Sequence, residues 1–449
     1  MKGETRLPIK QNINMDSEES TIKVGDHIIV QRQGYTKLHK LKARGRLILG
    51  SFNIEMDNII GEKYFDTFQM KNMPGNKKLY ILEKVEQINS AVNSLNIETS
   101  GADNRNIPNN ADSQSLTKDD IDRLVDTELS SNNIVGQLIN NSKTFSMKTG
   151  YSQEKYIKKK EKKYFEYVQI KKPSIRILVQ MFYRQDTTKT LGIRIDDLSQ
   201  ILTYANIHPE GNHVLYDSGT SGLMSAAITN AIGPNTKGQL IHMHPGNECQ
   251  KSAFIAMQFP KEQVDRCTNV NLYSVLRCFY QQKESFSEKA SIDCHQSENS
   301  EGEPQTKKLK LDNSTEDKKD LSEEGNTQES KKSSNDPTHK RIWQIENEKA
   351  CRILEQKVDS LVITVKEHPV NIVKELLQFL HGNRHFVVFS SLKELQHDLY
   401  FYLKSRADII NIRVCNSFMR NYQVLPNRTH PEVNMTTGGY ILTGYKLSE

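Results

Sequence analysis

The 449-residue chain carries 61 Lys and Arg against 55 Asp and Glu, a formal charge of +6, so a basic surface has to come from local clustering rather than overall excess. That length leaves room for two or three domains with a sizeable core, which excludes a peptide-sized binder. No apolar run reaches the roughly 18 residues of a membrane span, MKGETRLPIKQNINMDSEES lacks a signal-peptide core, and the six cysteines (Cys249, Cys267, Cys278, Cys294, Cys351, Cys415) never fall at C-x-x-C spacing; a soluble protein of a reducing compartment is expected.

Residues 1–20 are polar and read as a disordered N-terminus. Over 21–98, short alternating apolar runs punctuated by Gly25, Gly34, Gly45, Gly50 and Gly61 predict a small β-barrel-like domain. Residues 99–172 begin with the polar loop TSGADNRNIPNNADSQS, followed by capping-box spacing at Thr117 and Asp120, short helices to about Asn141, and a helix in SQEKYIKKKEKKYFEYV with Ser152 as its expected N-cap. After Pro173, SIRILVQMFYR alternates like a strand, and Asp196 is expected to cap a helix with Leu198, Ile201, Leu202 and Ala205 on one face.

From His213 the rhythm becomes strand, helix, strand, helix. Residues 284–340 collapse into Ser, Glu, Lys, Asp and Asn, cannot bury enough surface to offset their ordering entropy, and are expected to form a disordered insertion. The rhythm resumes over 341–449 with SLVITV, PVNIVKELLQFL, HFVVFS, LKELQHDLYFYLK, IINIRVCNSF and GGYILTGYKL. Neither 173–283 nor 341–449 has enough strands to close a sheet, so the two halves should make one doubly wound α/β domain.

In a nucleotide site on such a sheet, glycines after the first strand let backbone approach the cofactor, and an acidic residue ending the second strand binds ribose hydroxyls. S-adenosylmethionine enzymes use acidic-x-Gly-x-Gly-x-Gly. Here Asp217 and Gly219 fit, and Gly222 lies nearby, but Ser221 and Leu223 occupy the later glycine positions and Leu223 is expected to crowd a ligand. His244 stands where the ribose carboxylate belongs, and Thr364 and Val365 at the end of SLVITV, with Lys366 just past it, stand where a base-methylating enzyme places an acid and a Pro. The loop is therefore expected to bind no cofactor. His242 and His244 are expected on opposite faces of their strand, which argues against a metal site there.

Six lysines (Lys155, Lys158, Lys159, Lys160, Lys162, Lys163) fall within nine residues, interleaved with Tyr156, Ile157, Tyr164 and Phe165. On a helix, Lys155/Lys159, Lys158/Lys162 and Lys159/Lys163 repel at i, i+4 unless a polyanion offsets them, so phosphate binding is expected. Ile157, Tyr164, Phe165 and Val168 are left as its docking stripe. FMRNYQVLPNRTHP adds Arg420, Tyr422, Arg428 and His430, suited to phosphates or unpaired bases. Within the insertion, KKLKLD sets Lys307, Lys308 and Lys310 in the form of a nuclear import signal. The residues alone leave open an RNA-binding translation factor without an enzymatic partner, or an active methyltransferase with an atypical site.

YSQEKYIKKKEKKY, SGADNRNI, HPG after the second strand, and RNYQVLPNRTHP followed by GGYILTGYKL resemble the non-catalytic subunit family of the eukaryotic tRNA (adenine-58-N1)-methyltransferase. The resemblance implies a degenerate Rossmann-like class I methyltransferase fold with a mostly parallel seven-stranded sheet behind a small N-terminal β-barrel domain. It also implies tRNA binding, a homologous catalytic partner that carries S-adenosylmethionine, and two copies of each in a heterotetramer; the expected nuclear location comes from the KKLKLD string instead. By motif match, RNA contacts are implied at Asn104, Arg105, Asn106, Ile107, Asp112, Ser113 and Gln114, along the lysine helix from Lys155 and Tyr156 to Tyr164, and at Arg184 and Lys189. Further contacts are implied at Arg384, at Arg420, from Tyr422 through Gln423, Val424, Leu425, Pro426, Asn427, Arg428 and Thr429 to His430, and at Tyr440.

Overall fold

Short strands with one apolar face need a second layer, and the first sheet supplies it by curling on itself. In the computed structural model of the chain the described residues are 21–73, 76–86, 101, 113–126, 131–164, 167–281, 341–425, 428–431 and 438–448. The N-terminus 1–20, residues Asn104 to Ile107, Asp112, Pro426, Asn427, and the predicted insertion with Lys307, Lys308 and Lys310 lie outside them.

Strands β1 (His27–Arg32), β2 (Tyr35–Lys40), β3 (Arg46–Leu49), β4 (Phe52–Glu55), β5 (Thr67–Met73), β6 (Asn76–Val85) and β7 (Tyr167–Lys171) form one sheet in the order β2-β1-β7-β5-β6-β4-β3. Lys37 Nζ donates to Ile48 O at 2.7 Å, which links the outer strands β2 and β3 and brings the sheet near closure. Inside lie Ile28, Val30, Leu47, Ile54, Phe68, Val168 and Ile170. Ile29 alternates to the outer face and packs into the core of the next domain.

Helices α1 (Lys118–Asp126), α2 (Ser131–Asn140) and α3 (Gly150–Tyr164) lie between β6 and β7 in sequence. The expected capping box of α1 forms: Thr117 N donates to Asp120 Oδ2 at 3.1 Å, and Asp120 N donates to Thr117 Oγ1 at 3.2 Å. Two expectations change here. The lysine helix starts at Gly150, before Ser152, and it ends at Tyr164, so Val168 belongs to β7 rather than to a helical stripe.

The strand expected after Pro173 is helix α4 (Ile175–Gln185). Ser174 caps it by accepting from Ile177 N at 3.4 Å, and Leu178, Val179, Met181 and Phe182 are its buried side. Alternating Ile175, Ile177, Val179 and Met181 misled the sequence reading, because a short apolar run fits both periods. Helix α5 (Ile195–Tyr204) follows. Its N-cap is Arg194 rather than Asp196, with Arg194 N donating to Asp197 Oδ2 at 3.1 Å.

The second sheet joins β8 (Asn212–Asp217), β9 (Gln239–His244), β10 (Cys267–Asn271), β11 (Ser360–Val365), β12 (Arg384–Ser390), β13 (Ile409–Asn416) and β16 (Tyr440–Lys446) in the order β10-β9-β8-β11-β12-β16-β13. The first five pair in parallel and β16 is antiparallel to both neighbours, the mostly parallel seven-stranded methyltransferase arrangement expected. β8 bonds directly to β11, so the two halves interleave in one sheet. Helix α6 (Leu223–Ile232) covers one face, and α7 (Pro369–Leu376) and α8 (Lys393–Lys404) cover the other. A hairpin of β14 (Tyr422–Leu425) and β15 (Arg428–Pro431) stands apart between β13 and β16 in sequence. Parallel strands of this kind gather their loops at the C-terminal edge, where Asp217, Lys366, Ser391 and Gly439 follow or precede strand ends.

Candidate nucleic-acid interface

The loop after β8 keeps the backbone of a cofactor turn, but its space is taken by the chain itself. The Asp217 carboxylate accepts from Gly219 N and Thr220 N, both at 2.9 Å, and from the hydroxyls of Thr220 and Thr364. Ser221 adopts φ +56°, the left-handed conformation a glycine would take without strain. A Cβ on Gly219 would meet Lys366 Nζ at 2.7 Å, so the Lys366 side chain lies across the bare backbone where a ligand would approach. At Gly222 the backbone of Gln250 and Lys251 closes in, with Gln250 O 2.8 Å from an added Cβ. Leu223 crowds nothing there: it points into the core behind the loop, fully buried, which corrects the sequence expectation.

His244 is buried at the end of β9, and burial holds its pKa below the ordinary value. A neutral imidazole does not reproduce the two acceptor oxygens of a ribose-binding carboxylate. With the ribose partner absent and Lys366 over Gly219, these residues do not fit S-adenosylmethionine.

His242 and His244 share one face, their rings 6.5 Å apart, because side chains two apart on a strand point the same way. The expectation of opposite faces was wrong. Cys249 Sγ lies 3.3 Å from His242 Nδ1, and His242 Nε2 lies 3.8 Å from Asp217 Oδ2, in the order of a Cys-His-Asp relay. Burial pushes His242 down to about 4 and the Cys249 thiol up to about 12, so the imidazole and the thiol are both held in their uncharged forms and Cys249 is not an activated nucleophile.

Helix α3 presents the basic face. Gln153 and Ile157 are fully buried, and Ile157 packs with Val135 and Phe145 while Tyr156, Tyr164 and Ile139 border them, which fixes the helix against α2. Lys155, Lys158, Lys159 and Lys163 stay exposed. Lys148 Nζ and Lys160 Nζ sit 4.8 and 5.4 Å from the Tyr156 ring centre, and Lys163 Nζ sits 5.1 Å from that of Tyr164. Partial burial, with Lys163, Lys159 and Lys148 adding repulsion, lowers the Lys160 pKa. The repulsive part of that shift is what a phosphate backbone would relieve.

At the C-terminal edge of the second sheet the structure gathers several predicted contacts. Arg184 is exposed near the end of α4, with Nη1 3.4 Å from Gly34 O in the β1–β2 turn. Lys189 is exposed in the following 3-10 turn, and its carbonyl accepts from Ser221 Oγ at 3.0 Å. Tyr440 opens β16 beside Ser390, and Arg420 precedes the hairpin. In the hairpin Tyr422 pairs with Pro431, Gln423 with His430, Val424 with Thr429 and Leu425 with Arg428, leaving Tyr422 and Val424 56% and 74% exposed on one face.

Three predicted contacts stand elsewhere. Arg384 begins β12 at the opposite edge, a seven-residue strand of roughly 20 Å away, where its Nε bonds Asp359 Oδ1 at 3.1 Å. Gln114 ties the chain to α2 by donating from Nε2 to Leu138 O at 3.0 Å, and the Ser113 carbonyl accepts from Lys143 N at 3.1 Å.

Sequence reasoning missed the clasp that roots the hairpin. Arg194 is 3% exposed and donates to Asp196 Oδ1 and Oδ2 at 3.0 and 2.7 Å and to Ser417 O at 2.7 Å. A Cβ on Gly438 would lie 2.8 Å from Arg194 Nη2, so both chain segments leading to the hairpin close on one guanidinium. Arg194 follows LGI and carries no motif, so nothing in the sequence marked it. Beside it, burial raises the Asp197 carboxyl to about 6. The folded state then holds a proton the unfolded chain has released, so this contribution to stability is full below about pH 4 and is lost as pH rises through about 6. His213 and His242, both held down to about 4 by burial, shift stability the opposite way over the same range, so the Asp197 contribution is read by difference: in thermal melts from pH 4 to 7, the stability of the parent relative to Asp197→Asn should fall as pH rises.

Residues 21–305 match the model of the Gcd10p family. A mouse protein described as "tRNA (adenine(58)-N(1))-methyltransferase non-catalytic subunit TRM6" is 31% identical, over 94% of this chain and 88% of its own length. Its Dictyostelium discoideum counterpart is 30% identical over 95% and 80%. Among solved structures, a SAM-dependent O-methyltransferase from Thermotoga maritima superposes with a TM-score of 0.48 at 12% identity, covering 97% of both chains.

Proposed function

The chain belongs to the Gcd10p family, and from that premise we propose that it serves as the non-catalytic subunit of a tRNA (adenine-58-N1)-methyltransferase. It grips tRNA while a homologous catalytic subunit holds S-adenosylmethionine, and two copies of each assemble into a heterotetramer. The observation that carries this division of labour is the replaced donor set at the turn, His244 for the ribose carboxylate and Lys366 resting over Gly219, on a sheet that is otherwise intact. Lys307, Lys308 and Lys310 support a nuclear location for the complex.

The contact surface combines the lysine face of α3 with the edge that holds Arg184, Lys189, Arg420, the β14–β15 hairpin and Tyr440. The motif match adds Asn104 to Ile107, Asp112 to Gln114 and Arg384 as further RNA contacts. Ammonium groups on α3 neutralise phosphates without reading sequence, and exposed Tyr422 offers a face on which an unpaired base stacks. Such a grip supplies binding energy for exposing an adenine that is otherwise held in the tertiary fold of the RNA.

Calorimetric titration of S-adenosylmethionine tests this. The isolated chain should give no saturable heat, and the complex should bind one equivalent per pair of subunits. Two equivalents per pair would assign a working cofactor site to this chain and refute the proposal.

A further inference from the structure

With the cofactor's approach closed, the C-terminal edge of the second sheet still holds a cleft of about 1050 Å³, bounded by Gly34 of the β1–β2 turn, α4, Lys366 and the segment leading to the hairpin. That is at the upper end of the roughly 300–1,000 Å³ typical of small-ligand sites, enough for a nucleotide with some of its flanking backbone. None of the described lining residues is acidic, whereas Arg184, Arg194 and Lys366 are cationic. Asp196 balances Arg194 from behind, which leaves Arg184 and Lys366, among the described lining residues, as the cations without an ion pair to a described carboxylate. Tyr183, Leu191 and Met419 give it an apolar wall. Two cations and an apolar wall with a tyrosine suit a phosphate joined to a flat heterocycle.

We propose that this cleft receives one unpaired nucleotide of the bound RNA, its phosphate between Arg184 and Lys366 and its base against Tyr183 and Met419. The inference rests on the tRNA-binding reading above and deepens it: the edge that once served a cofactor now takes a piece of the substrate. Lys366 has two roles in this scheme, closing the glycine turn on one side and facing the phosphate on the other.

The test uses the complex with its catalytic partner. Ser391→Trp and Asn421→Trp fill the cleft from different strand ends, at exposed positions where a bulky side chain leaves the core untouched. Each should weaken tRNA binding about tenfold with an unchanged melting temperature, and adding Arg184→Ala to either should cost little more, since all three act on one site. Adenosine monophosphate titrated into the full chain separates the two sources of a nucleoside phosphate. Weak binding that tRNA displaces supports the proposal; tight binding lost in both Trp variants, with tRNA affinity unchanged, assigns the cleft to a free nucleotide and overturns it. If both Trp variants bind tRNA normally while Lys158→Ala, Lys159→Ala and Lys160→Ala together do not, the cleft proposal fails and the tRNA-binding role stands. Normal binding by every variant defeats both.

Discussion

Replacing Lys158, Lys159 and Lys160 with Ala should lower tRNA affinity by about 100-fold at physiological salt and reduce the slope of log affinity against log salt by about two to three. Each ammonium that neutralises a phosphate releases a condensed counterion, worth close to one unit of slope and several-fold in affinity near 0.15 M. Lys158 and Lys159 are exposed, and the Lys160 charge is disfavoured first by partial burial and then by Lys163, Lys159 and Lys148, so RNA relieves that repulsion as well as adding attraction. The helix should survive, because Gln153 and Ile157 hold it and Ala has the higher helix propensity. An unchanged slope with intact circular dichroism would remove α3 from the interface.

Arg194→Ala should cost about 3–5 kcal/mol of stability, the usual result of removing one partner of a buried ionic network. Asp196 would lose its bidentate donor and Ser417 O its hydrogen bond, with Asp197 left fully buried beside them. The loss should also reach the RNA. A two-stranded hairpin is marginal by itself, and β14–β15 depends on its roots at Ser417 and Gly438 being held together. Chemical denaturation should read the first effect, and a further fall in tRNA affinity at temperatures where the variant remains folded should read the second. Arg194→Lys keeps the charge without the planar fork and should recover only part of either.

Much of this was legible because it depends on local chemistry. Ser221, His244 and the residues after SLVITV announce a disabled cofactor turn at sequence level, since the positions that admit only glycine or a carboxylate are few and adjacent to strand ends. The lysine run could be placed on a helix because its apolar members recur at Ile157 and Tyr164. What escaped depends on long-range pairing or on where a flexible side chain comes to rest. β7 inserts between β1 and β5, more than 90 residues from either in the chain, and no local pattern reports such a partner. α4 was misread because its eleven residues satisfy both apolar periods until Ser174 is seen to cap them. Lys366 was noted as a missing carboxylate, whereas its more telling role, lying across Gly219, needed coordinates.

In the proposed division of labour this chain holds RNA while its partner performs the chemistry. The most direct measurement is transfer of a labelled methyl group from S-adenosylmethionine to tRNA, with this chain alone, the partner alone and the two together, mapping the modified base. The account predicts no transfer by this chain, and modification at adenosine 58 only with both present. Methylation by this chain alone, or full activity of the partner without it, would contradict the account.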